Sequence, residues 1–102
     1  MELFIFARFQ ARAGAAEDLA AALREVVGPT SREAGCLAIG AFRSTTDPAL
    51  FYIHSRWIDE AAFVAHGGMP HTVGFLRRVE PLLDHPLDVT RSQPLQRATP
   101  AN

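Results

Sequence analysis

Glu2-Leu3-Phe4-Ile5-Phe6-Ala7-Arg8-Phe9-Gln10-Ala11 is the stretch on which the fold turns. Alternate residues of a strand point to opposite faces. Leu3, Ile5, Ala7 and Phe9 then share one face, and Phe4, Phe6, Arg8 and Gln10 the other. A strand with one wet face alternates cleanly between apolar and polar residues. Here both faces are partly apolar, so both need cover. Helices of the same chain can supply one cover. The other must come from elsewhere.

Outward from this strand, Gly14 opens a helical stretch. Ala16, Leu19, Ala20, Leu23, Val26 and Val27 recur at helical spacing, and Glu17 and Asp18 suit the positive end of its dipole. Gly28-Pro29 is expected to weaken or break it, with Thr30 to Ala34 adding at most a last turn. Cys36 to Ser44 and Leu50 to Trp57 read as two strands of a hairpin, joined by the turn Thr45-Thr46-Asp47-Pro48. Asp59 is placed to cap a helix running to His66. Gly67-Gly68 interrupts it, Pro70 opens another helix, and Pro81 ends that one. Leu87 to Thr90 reads as a short last strand. Residues 1–92 thus form one domain, and residues 93–102 a polar tail.

The order strand, helix, strand, strand, helix, strand predicts an α+β fold of ferredoxin-like type: a four-stranded antiparallel sheet with its helices on one face. Two such sheets packed face to face would hide the remaining apolar face. Each chain would keep a pocket between sheet and helices. A homodimer is therefore expected, the more so because 102 residues bury only part of their surface alone.

Composition narrows the function. Apolar residues make up 48% and charged residues 21%, which excludes a largely disordered chain. Ten basic residues face eleven acidic ones without a basic stripe, so no nucleic-acid partner is expected. The pair Arg77-Arg78 reads as a solvated helix face. No apolar run reaches the length of a membrane span or a signal-peptide core, and no membrane partner is expected. Cys36 is the single cysteine, which fits a reducing, cytoplasmic setting and a buried small hydrophobe.

Three segments stand in a telling order: Arg32-Glu33-Ala34-Gly35-Cys36-Leu37, then Trp57-Ile58-Asp59-Glu60-Ala61-Ala62-Phe63, then His66 followed by Pro70-His71. Together, over about Leu3 to Val89, they resemble the antibiotic-biosynthesis-monooxygenase family. That resemblance implies a dimeric α+β barrel. It also implies oxidation of phenolic or anthrone-like aromatics to quinones by molecular oxygen, without flavin, haem or metal. Haem-degrading relatives place an Asn, a Trp and a haem-ligating His where this chain has Ala7, His66 and Leu76. Haem degradation is therefore not expected.

Such chemistry needs a base of near-neutral pKa to make the electron-rich anion, and histidine suits that task. His66 and His71 occupy the family-matching positions. Plainer readings are that His66 caps its helix and that His71 bonds a neighbouring strand. A metal site is not expected, because no Cys or carboxylate stands near the two histidines in a ligand pattern. If the strand face carrying Tyr52, His54 and Arg56 lines the cavity, Arg56 would hold the substrate anion and His54 would act as base. Otherwise that face is a polar network at the dimer seam. Trp57, Phe63 and Met69 are candidate pocket walls, with core packing as the alternative. Two other functions fit the same sequence: a binding module that leaves its ligand unchanged, and a non-redox enzyme such as an isomerase.

Overall fold

The computed structural model describes residues 1–96. Its elements are β1 (Leu3–Gln10), α1 (Ala16–Ser31), β2 (Cys36–Arg43), β3 (Leu50–Trp57), α2 (Glu60–Gly67), α3 (Pro70–Val79), a 3-10 turn over Glu80–Leu82, and β4 (Asp88–Ser92). The strands form one antiparallel sheet in the order β2-β3-β1-β4, the ferredoxin-like arrangement. The second helical region is two helices, parted at Gly67-Gly68 as expected. The part of the polar tail at residues 97–102 lies outside the described residues. Among the described residues, no helix is long and apolar enough to cross a membrane.

Pro29 does not break α1, contrary to the sequence reading. It stands in the last turn, where a missing N–H removes a single helical bond, and the Arg32 and Glu33 N–H groups close the helix on the carbonyls of Pro29 and Thr30 respectively. At the hairpin, the Ser44 hydroxyl accepts from the Thr46 and Asp47 N–H groups, and Asp47 Oδ1 accepts from the Ala49 N–H. These local bonds fix the turn that sets the β2–β3 register. Asp59 caps α2 by accepting from the Ala62 N–H at 2.9 Å.

Leu3, Ile5, Ala7 and Phe9 of β1 are all buried, as are Phe51, Ile53, Ser55 and Trp57 of β3. Helix α1 lays Leu19, Leu23 and Val26 on this face. Each such large side chain stabilises the fold by about 1.5–3 kcal/mol relative to exposure. A second cluster gathers Leu3, Ile5 and Trp57 against Ala62 and Phe63 of α2.

The opposite face carries Phe4 and Phe6 of β1, Tyr52, His54 and Arg56 of β3, and Phe42 of β2, as the pairings Phe6↔His54 and Phe42↔Tyr52 require. Among the described residues, no element covers it. Phe6 is 43% and Phe42 52% exposed.

Candidate active site

Glu33, His66 and His71 come from three separate elements and converge on one point. Glu33 follows α1, its own N–H bonded to the Thr30 carbonyl and its carbonyl accepting from the Cys36 N–H. His66 stands in the last turn of α2, and His71 is the second residue of α3. In one continuous helix, residues five apart would not share a face. Pro70 cannot continue α2, and the extended backbone of Met69 turns the chain between the two helices. Both imidazoles then face Glu33.

A single oxygen, Glu33 Oε2, lies 2.6 Å from His66 Nδ1 and 2.7 Å from His71 Nε2. For both contacts to be hydrogen bonds, each nitrogen must carry a proton and donate it. The Thr72 hydroxyl lies 3.1 Å from the same His66 nitrogen. The Glu33 side chain is 7% exposed and has no Lys or Arg partner among the described residues. With its Nδ1–H so engaged, neutral His66 keeps the lone pair on Nε2, which has no protein partner among the described residues. That is the arrangement of a base oriented by a carboxylate. The ring is held in place by Trp57, 4.8 Å away between centroids, and by Phe63 at 5.9 Å.

His66 borders a cavity of about 150 Å³ between the sheet and the helices. Ile5, Ala7, Ile53, Phe63, Phe75 and Val89 contribute to its apolar wall, and Thr30, Ser55 and Thr72 are its hydroxyls. Ser55 accepts the Trp57 indole N–H at 3.0 Å, and Thr72 meets His66. Thr30 is fully buried, and its hydroxyl has no partner among the described residues. A buried unsatisfied hydroxyl costs about 1–3 kcal/mol, so its presence beside a cavity calls for an explanation.

The structure distributes the expected site residues as follows. His66 and Phe63 line the cavity, and His71 joins His66 through Glu33. Trp57 lies beneath His66 as a support, 1% exposed, and does not itself border the cavity. Met69 starts α3 at the surface. Tyr52, His54 and Arg56 sit on the far face of the sheet, so the condition for Arg56 and His54 to act in this cavity is not met within one chain. Arg56 pairs there with Glu2 at 3.1 Å, and the His54 ring lies 5.0 Å from both Phe6 and Phe42. The sequence shows no carboxylate in a ligand pattern beside the two histidines, yet the fold brings Glu33 to both. It is 33 residues from His66 in the chain, and only the packing of α1 against α3 and of Gly35 against α2 brings it in. Thr30 carried no signal in the sequence. Burial pushes the Cys36 thiol above its usual pKa; a weak bond to the Ala38 carbonyl opposes this, and the Glu33 charge adds to it. The thiol is therefore a poor nucleophile.

The family model for antibiotic biosynthesis monooxygenases matches residues 3–78, three-quarters of the chain and all three elements of this site. The chain belongs to that family. It is 32% identical over 95 residues to "Putative monooxygenase Rv0793" of Mycobacterium tuberculosis, covering 93% of each chain. The solved structure of Rv0793 superposes with a TM-score of 0.90 at 29% identity, covering 97% of this chain and all of that one. PA3566 from Pseudomonas aeruginosa superposes at 0.87 with 34% identity, over 93% of this chain and 95% of that one. Within this antibiotic-biosynthesis-monooxygenase fold, Ala7, His66 and Leu76 all border the one cavity.

Proposed function

We propose that the protein is a cytoplasmic, cofactor-independent monooxygenase that oxidises a small phenol or quinol to a quinone. The observation that carries this reading is His66, held by Glu33 through Nδ1 and bordering an apolar cavity. His66 Nε2 takes the phenolic proton, and Glu33 Oε2, 2.6 Å from the ring, stabilises the imidazolium that forms. The phenolate gives an electron to oxygen, and a C–O bond then forms at an open ring carbon. Cleavage of the O–O bond leaves one oxygen atom in the quinone and the other in water, so phenol plus O2 gives quinone plus H2O. The apolar wall excludes water from the reactive anion. The Thr30 hydroxyl, without a partner among the described residues, is free to meet a second oxygen on the ring.

Cavity size favours one ring. An apolar cavity of about 150 Å³ suits a benzene-sized guest, whereas sites for drug-sized ligands run to about 300–1,000 Å³. Chelator-treated protein should therefore take up oxygen with hydroquinones and simple phenols faster than with three-ring anthrones, after correction for autoxidation. Quinone should form in step with uptake. Single-ring phenols that bind and are recovered unchanged, with no uptake, would replace this reading with that of a binding module.

The uncovered sheet face supports a homodimer. Phe6, Phe42 and His54 form an exposed aromatic patch, and a second copy of the same face would bury it. Sedimentation should give twice the chain mass for the wild type, and Phe42→Asp should shift the species toward monomer. A monomeric wild type at assay concentration would remove the dimer from the proposal.

A further inference from the structure

The charge balance around Glu33 leads beyond the oxidation chemistry. When both imidazoles are neutral, the cluster carries one negative charge that is largely screened from solvent and has no Lys or Arg among the described residues to neutralise it. Buried charge is costly unless compensated. A proton on one imidazole is one remedy. A bound cation is the other.

We propose that Glu33, His66 and His71 form a site for a divalent transition-metal ion of the Zn²⁺, Co²⁺ or Ni²⁺ class. The ligands are Glu33 Oε2, His66 Nδ1 and His71 Nε2, which all lie within 4.8 Å of one another. Two imidazoles with one carboxylate suit borderline ions and not Mg²⁺ or Ca²⁺, which prefer sets made only of oxygen. The carboxylate oxygen is now at hydrogen-bond distance from both nitrogens, 2.6 and 2.7 Å. Around an ion with bonds of about 2.0–2.2 Å, tetrahedral donors stand roughly 3.4 Å apart, so the rings need to yield by less than about 1 Å. They have that room. The side chains of His66 and His71 are 16% and 26% exposed, and the same opening admits water to the remaining coordination positions. The ion displaces the protons now shared with Glu33 and ties the end of α1 to α2 and α3. The site stands independently of the oxygenase reading. Under that reading, the ion inhibits, because it occupies the carboxylate that orients the base.

The test is direct titration of the chelator-treated protein with Co²⁺ and Zn²⁺ alone. Visible absorption, calorimetry and thermal melting supply the readouts. One ion per chain should bind, with a cobalt absorption band and a rise in Tm on adding Zn²⁺. Glu33→Gln and His71→Ala should each weaken binding by at least about tenfold and abolish the rise in Tm. Metal-free melts establish that the variants are folded. If Glu33→Gln is not, His71→Ala, which alters the most exposed ligand, decides alone. Absence of the band and of the Tm rise at saturating metal would overturn the proposal. So would unchanged affinity in His71→Ala, which would place the ion on other histidines.

Discussion

His66→Ala should lower oxygen uptake with a phenolic substrate by about 10²–10⁴-fold, the usual contribution of a positioned general base. The phenol must lose its proton before it can reduce oxygen, and within the cavity of one chain no other imidazole is available. His54 lies on the far face of the sheet, and His71 meets His66 only through Glu33. The variant should keep its fold, because the His66 ring is part-exposed and rests over Trp57 without being part of the buried core. Glu33→Gln should fall between it and the wild type. The amide removes the anion that stabilises the imidazolium, yet it still offers His66 an oxygen to hold. His71→Ala should cost less again. Single-turnover rates of the three variants, measured beside their circular dichroism, decide the order. Wild-type turnover in folded His66→Ala would end the assignment of this residue as the base.

Gly35→Ala should be the most damaging small substitution for stability. Gly35 does not have a positive φ, so backbone handedness is not the reason for glycine here. The reason is close approach. A Cβ at position 35 would stand 2.2 Å from Ala62 Cβ and 3.3 Å from Ile58 Cγ1. Ala62 is in the first turn of α2, and the Ile58 N–H donates to the Gly35 carbonyl at 3.0 Å, so neither side moves freely. Overpacking of this kind costs about 1–3 kcal/mol, or a fall in Tm of roughly 5–20 °C for a domain of this size. The damage should reach the site as well. Pushing α2 away from residue 35 separates His66 from Glu33, so activity should fall further than unfolding explains. Ala62→Gly in the same chain removes the nearest clash and should restore most of the lost Tm, minus the helix cost of glycine, about 1 kcal/mol. Failure of that double variant to recover would show that the contact with α2 is not the cause.

The Gly35 contact also gives a physical meaning to the segment Glu33-Ala34-Gly35-Cys36. Glycine lets α2 approach, and the approach sets the distance from His66 to Glu33. The sequence shows that motif and its order relative to Trp57 and His66, but not what the spacing accomplishes.

Strand and helix order were legible because they rest on local periodicity and turn chemistry. The alternation in Leu3–Gln10, the Asp59 cap, the Gly67-Gly68 interruption and Pro70 each act within a few residues, and each reappears in the structure. Pro29 misled, since its effect depends on how far it stands from the helix end. The two-sided apolar character of β1 announced a sheet face that the chain's own helices leave uncovered, and Phe6 is there. Tertiary structure alone decided the site. Strand alternation puts Tyr52, His54 and Arg56 together, but only the side on which α1 packs tells that they face away from the cavity. Glu33 and His66 are far apart in sequence, and no local rule joins them. Their meeting depends on three helix ends packing over one sheet, and the same packing leaves the Thr30 hydroxyl buried beside the cavity without a partner among the described residues.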